Sequence, residues 1–364
     1  MKILLSGATA GTNFGDFLFA KMFQNYIGDI VGKESVFWFT GGYFAFSKFY
    51  AKHLNYNRRY RLRDIDLLVY ISGGYFGGLD RSLFDYFVRF MNYFYIGVRC
   101  VIRRIPIIII GVEASKSNSR FIDSVQKFLI KKAKLVIVRN QPSFEYISSF
   151  IINDPKVICT ADSVFSIKKV FFENTEIPDN IRNHNGPLFF YHTKPSLNEE
   201  DAHVRLIIPI INRFIKSHPE YTIIVSPDQY SENFDKTEAI ISRHLEAKNV
   251  IYYRYDNPVA LCNVINQCDV VLTDKLHVGI VGVHLGKSVI SFSGHTQKIA
   301  RLYEQLNVSE RTIALSKLTL EKGVEMLEKF HDAPIQVPQD ITLAAESNFK
   351  YLSQFIIQLQ NESA

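Results

Sequence analysis

Thr273, Asp274, Lys275 and His277 crowd into the start of an otherwise apolar run, TDKLHVGIVGVHLGKSVISF (273–292). A lysine supplies a fixed cation. An imidazole can give or take a proton near neutral pH. The preceding DVVLT reads as a strand, and Gly286 reads as the C-cap of the helix that follows. Lys275 and His277 therefore fall where a strand hands over to a helix N-terminus, whose free N–H groups and dipole favour an anion. Thr273 or Asp274 is expected to cap that helix. An isolated histidine is commonly structural, but this position favours function. The apolar helix behind it is the kind that packs against a sheet.

Other strand ends carry further candidates. GATAGTNFGDFLF places Gly7, Gly11 and Gly15 around Asn13, with Asp16 opening a helix. Neither GxGxxG nor the GxxxxGK[ST] phosphate loop is present. Asn13 and Asp16 suit a ligand-facing loop or an ordinary turn and N-cap. SGGYFGG (72–78) offers Gly73 and Gly74, either as open backbone N–H groups or as a tight packing turn. VRNQPSFEYI puts Arg139 at a strand end and Ser143 in the first turn of a helix. A cation there needs an anionic partner. That partner is a bound ligand or Asp162 in TADSVF. YHTKPSLNEE supplies His192 and Lys194, and SPDQYSENFDK supplies Asp228, suited to sugar hydroxyls or to a turn.

Short apolar strands alternate with longer amphipathic helices along the chain, which implies parallel sheets with helices on both faces. A polar, proline-containing stretch interrupts the alternation, which then restarts. The expected architecture is two doubly wound Rossmann-like domains facing a cleft. The boundaries read 1–170, a linker over 171–187, 188–335, and a helical segment over 336–364 that crosses back to the first domain. In such folds ligands bind beyond the carboxyl ends of the strands.

Of 364 residues, 47% are hydrophobic and 21% charged, with a net charge of +6. That balance excludes a disordered chain. Four cysteines without CxxC or zinc-ligand spacing suggest free buried thiols in a reducing compartment. The N-terminus has no signal-peptide pattern. IPIIIIGV (105–112) is far too short to cross a bilayer, which takes about 20 residues. The expected location is the cytoplasm, with contact to the inner membrane face through the basic, tyrosine-rich stretch from Lys48 to Arg63. No recognisable nucleic-acid module surrounds that stretch.

The order of NFGD, SGGYFGG, VRNQPSFEYI, TADSVF and DKLHVGIVGVHLGKSVISFSGHTQKI resembles the polysaccharide pyruvyl transferase family over roughly residues 5–305. The resemblance implies a fold like the two-domain B-type glycosyltransferases. It also implies transfer of the pyruvyl group of phosphoenolpyruvate to sugar hydroxyls, as a ketal on an exopolysaccharide, capsule or lipid-linked precursor. No cofactor and no metal are implied. The family's Arg-Leu-His falls on Lys275, Leu276 and His277, its Asn-x-Gly-Asp on Asn13, Gly15 and Asp16, and its glycine loop on Gly73 and Gly74. Its next motifs fall on Arg139, Ser143 and Asp162, and a late lysine on Lys298.

The chain departs from the family pattern twice. Lys275 stands where arginine is common, which keeps the charge but loses the bidentate fork. His192 and Lys194 follow the first strand of the second domain where the family often has an arginine. On this resemblance Lys275, His277, Lys194, His192 and Lys298 would hold the donor, His277 would move a proton, and Arg139 would reach across from the first domain. The loops with Asn13, Gly15, Asp16, Gly73, Gly74, Ser143, Asp162 and Asp228 would line the cleft on the acceptor side. A nucleotide-sugar glycosyltransferase and a non-catalytic binding protein of the same fold are the alternatives.

Overall fold

The structure, a computed structural model, describes residues 1–40, 48–54, 59–78, 82–152, 154–167, 176–294 and 296–363. Within the basic stretch residues 55–58, and within the expected linker residues 171–175, lie outside that set.

The chain forms two compact units. One comprises residues 1–12, 16–166 and 339–364, and the other residues 13–15 and 167–338. The first unit holds a seven-stranded parallel sheet: β1 (Ile3–Ser6), β2 (Val36–Trp38), β3 (Leu67–Tyr70), β4 (Gly73–Gly78), β5 (Ile107–Ser117), β6 (Leu135–Val138) and β7 (Val157–Cys159). Their order is β2-β1-β3-β5-β6-β7, with β4 also paired to β5. Val36–Trp38 and the SGGYFGG segment were not expected as strands.

SGGYFGG is thus not a loop, and Gly73 and Gly74 belong to β4. The reason is burial: Tyr75 and Phe76 are 4% and 0% exposed. Taking one such ring out of water is worth roughly 2–3 kcal/mol. β3 pairs with the first half of β5 and β4 with the second, because β5 bulges between Ile109 and Val112. Gly111 makes that bulge at φ +67°, and a side chain there would strike Ser72.

The final helix, Gln339–Ser363, groups with the first unit. Its buried Asn348 accepts from Thr160 Oγ1 at 2.9 Å and donates to the Ala161 carbonyl at 3.0 Å. Phe349 packs on Phe23 and Tyr26 with ring centroids 4.9 and 4.8 Å away.

The second unit holds a six-stranded parallel sheet: β8 (Leu188–His192), β9 (Thr222–Ser226), β10 (Val250–Tyr252), β11 (Val270–Thr273), β12 (Ser288–Ser293) and β13 (Thr312–Ala314). The order β10-β9-β8-β11-β12-β13 is the doubly wound 3-2-1-4-5-6 pattern counted within the unit. Every residue of β8, β9, β11 and β12 is buried, as expected of strands covered on both faces. Helix Ile208–Ser217 tolerates Pro209 because it lies in the first turn, after a π-helical turn over His203–Ile207.

Among the described residues no helix is long and apolar enough to cross a membrane. Cys100, Cys262 and Cys268 are free and buried. Cys159 is free but exposed, contrary to expectation, because it ends an edge strand.

Candidate functional site

In a doubly wound sheet the crevice opens where the strand order reverses, here between β8 and β11 of the second unit. β8 ends at His192, and β11 delivers Asp274, Lys275 and His277. β9, on the other side of β8, is followed by Asp228. Topology thus gathers these residues at one sheet edge.

His192 is 1% exposed and lies between two carboxylates. Its Nε2 is 3.2 Å from Asp228 Oδ1 and its Nδ1 2.8 Å from Asp274 Oδ1. Burial alone would favour the neutral ring, but the two carboxylates outweigh it and raise the pKa from 6.5 to about 9. Burial also opposes the charge on Asp228 and Asp274. The attraction of His192 prevails for both, aided by Lys275 for Asp228 and by His203 for Asp274, and both carboxyls sit below their usual range. His203 Nε2 faces Asp274 Oδ2 at 3.6 Å, and its Nδ1 is 2.9 Å from the Tyr191 hydroxyl.

Lys275 Nζ lies 3.7 Å from Asp228 Oδ1, and the lysine side chain keeps 28% exposure. Two carboxylates are thus matched by two cations, His192 and Lys275. This arrangement overturns the expected cap. Lys275 itself occupies the N-cap position of helix Leu276–His284, with no side-chain cap bond. Thr273 Oγ1 accepts from Lys275 N at 2.9 Å, while Asp274 is turned toward the histidines. The side chain at the N-cap thus leaves the helix start uncapped, and a helix N-terminus favours an anion. Gly286 ends the helix at φ +69° as expected.

His277 is half-buried one turn into that helix. Residues 13–15 group with this unit. A Cβ at Gly15 would fall on the His277 ring, so only glycine fits. Asn13 Nδ2 donates to Asp228 Oδ2 at 3.4 Å, and Phe14 N donates to the Asp228 carbonyl at 2.9 Å. Asn13, Gly15, Asp228, His192, Lys275 and His277 are thus brought together. Lys194 is not free beside them: its Nζ pairs with Asp201 at 2.7 Å. Lys298 is exposed on helix Thr296–Gln305.

In the first unit Arg139 is 6% exposed and divided between two carboxylates, Asp162 Oδ2 and Glu113 Oε2, each at 2.6 Å. Burial opposes its charge, but Asp162 and Glu113 prevail and raise its pKa further. Of the two readings open in the sequence, the ion pair is the one observed. Asp162 also accepts from Val164 N at 3.1 Å. Ser143 Oγ accepts from Ala114 N at 2.9 Å, and Ser143 N donates to the cap residue Asn140. Gly73 pairs with Val112 in β4, while Gly74 in the same strand stays exposed. Asp16 lies in the first turn of helix Phe14–Val31, where its charge adds to burial in raising the Tyr93 pKa to about 12.

Arg139, Asp162 and Ser143 are thus joined to the scaffold rather than presented to a ligand. Arg139→Ala is expected to cost about 3–5 kcal/mol, because two buried carboxylates lose their shared cation. Chemical denaturation of the variant checks this.

Sequence reasoning missed Glu113, His203 and Tyr191, and took Asp274 only for a cap. Asp274 adjoins the lysine, which was signal enough. His203 had none, being brought in by a helix.

No curated protein matches the chain significantly. Solved structures share its fold at low identity. UDP-GlcNAc 2-epimerase from Methanocaldococcus jannaschii is 12% identical with a TM-score of 0.63, covering 97% of this chain and 100% of its own. MnaA of S. aureus, solved with UDP, is 11% identical with a TM-score of 0.63, covering 98% and 97%. The Neisseria meningitidis UDP-GlcNAc 2-epimerase bound to UDP-GlcNAc is 12% identical with a TM-score of 0.59, covering 98% and 100%. These place the fold in the glycosyltransferase B-like class. The polysaccharide pyruvyl transferase model matches residues 13–296, from the Asn13 motif through the whole Lys275–His277 region. The chain belongs to the polysaccharide pyruvyl transferase family.

Proposed function

We propose that this chain transfers the pyruvyl group of phosphoenolpyruvate to hydroxyls of a sugar in a surface polysaccharide or its lipid-linked precursor. The observation that carries the reading is the uncapped helix start at Lys275, with His277 beside it, in a chain of this family. Phosphoenolpyruvate is a dianion or trianion that suits such a point. Lys275 and the positive end of the helix hold its phosphate or carboxylate. One sugar hydroxyl adds to C2 while a proton is delivered to the CH₂ carbon. A second hydroxyl then displaces phosphate from C2, closing the ketal, and its proton leaves with the phosphate. His277 carries one of these protons. His192, Asp228 and Asp274 position Lys275 and do not touch substrate. Phosphoenolpyruvate is a co-substrate, and no resident cofactor enters the scheme. The reaction is placed in the cytoplasm, with the basic stretch from Lys48 to Arg63 bringing the chain to lipid-linked acceptors.

The test is phosphate release from phosphoenolpyruvate with a panel of glycan acceptors. Release that requires both partners is the expected result. Saturable thermal stabilisation by a nucleotide sugar, without release, would instead favour a glycosyltransferase. Absence of release with every acceptor would favour a non-catalytic binding protein.

A further inference from the structure

A second cluster of metal-ligating side chains lies in the second unit, on residues with no place in the proposed reaction. His218 follows helix Ile208–Ser217, while Glu328 and His331 belong to the end of helix Leu320–Phe330. Glu328 and His331 are three apart, which puts them on one helical face. One ligand atom from each of His218, Glu328 and His331 lies within 4.8 Å of the others. His218 Nε2 is 2.8 Å from Glu328 Oε2, and the two imidazole centroids are 4.5 Å apart.

The surroundings orient both rings. The Tyr221 hydroxyl is 3.1 Å from His331 Nδ1, and Glu220 Oε1 is 3.4 Å from His218 Nδ1. Phe214 stacks on His218 at 4.4 Å and meets His331 edge-on at 5.4 Å. Outer partners of this kind, a carboxylate on one imidazole and a hydroxyl on the other, fix ring orientation in metal sites. The side chains of His218 and Glu328 keep 19% and 40% exposure, so an ion can reach them.

We propose that His218, Glu328 and His331 form a binding site for a divalent transition cation of the Zn²⁺ type. Two imidazoles and one carboxylate are a borderline-soft set that suits Zn²⁺ over Mg²⁺ or Ca²⁺, and they leave the fourth tetrahedral position to water. Modest side-chain rotation closes the ligand atoms to tetrahedral spacing. The ion ties the end of one helix to the end of another across 110 residues of sequence, which is why ligand spacing in the sequence did not reveal it. The site is independent of the proposed transfer reaction.

Titration of Zn²⁺ into the chelator-treated full chain, by calorimetry, tests it. One saturable site per chain is expected, together with a rise in melting temperature. Glu328→Gln and His331→Gln should each weaken it about ten-fold or more. Tyr221→Phe, which removes no ligand, should weaken it about ten-fold through the loosened His331 ring. Circular dichroism confirms that each variant is folded. Absence of saturable binding to wild type, or equal affinity in the Gln variants, would overturn the proposal. Preference for Mg²⁺ over Zn²⁺ would overturn it as well.

Discussion

His277→Ala is expected to lower kcat for phosphate release by about 10²–10⁴-fold while leaving phosphoenolpyruvate affinity within a few-fold. The split follows from geometry. His277 sits in the helix beyond the N-cap residue Lys275, against a backbone where only Gly15 fits. A ring so confined is suited to moving a proton, while on the proposed reading Lys275 supplies the fixed charge for the donor. Steady-state kinetics alongside direct binding measure the two effects separately. Affinity lost with turnover intact would show His277 to be a donor-binding residue and would remove it from proton transfer. Gly15→Ala is expected to act in the same direction by displacing the ring.

His192→Ala is expected to destabilise the protein by about 3–5 kcal/mol, because Asp228 and Asp274 would stay buried without the cation between them. The groups facing His192 and its partners are Asp228, Asp274, His203, Tyr191 and Lys275. The same pairing sets a pH dependence. His192 has a raised pKa in the folded chain, about 9 against 6.5. Its contribution, roughly 3 kcal/mol, is therefore fully present below pH 6.5 and is lost as pH rises through 9. The two aspartates act in the opposite sense: their contribution is present above the usual carboxylate range and fades as pH falls toward their depressed values. Urea denaturation from pH 6 to 10 should show wild type losing stability mainly between about pH 6.5 and 9. His192→Ala should be flatter there. Parallel curves would show that His192 is not the buried cation.

The fold was largely legible because parallel strands buried on both faces leave unbroken apolar runs, as in LFFYH, TIIVS and VVLT. What escaped was set by tertiary packing. Val36–Trp38 and Thr312–Ala314 are short, and SGGYFGG carries a turn composition that burial of Tyr75 and Phe76 overrides. At the site, Lys275 and His277 were legible from the strand-to-helix hand-over. Asp228 reads locally as a turn residue or a ligand for sugar hydroxyls, because nothing local shows that β9 lies beside β8. Arg139 looked equally like a clamp, since a paired and an unpaired cation read alike until Glu113 is placed against it. Buried charge networks join residues distant in sequence, and periodicity carries no record of them.

The most direct measurement is calorimetric titration of phosphoenolpyruvate into wild type and Lys275→Ala. Saturable binding to wild type, weakened about ten- to hundred-fold in the variant, is the result expected of a lysine at an uncapped helix start. Unchanged affinity in Lys275→Ala, or no binding to wild type beside saturable binding of a nucleotide sugar, would contradict donor capture at this point.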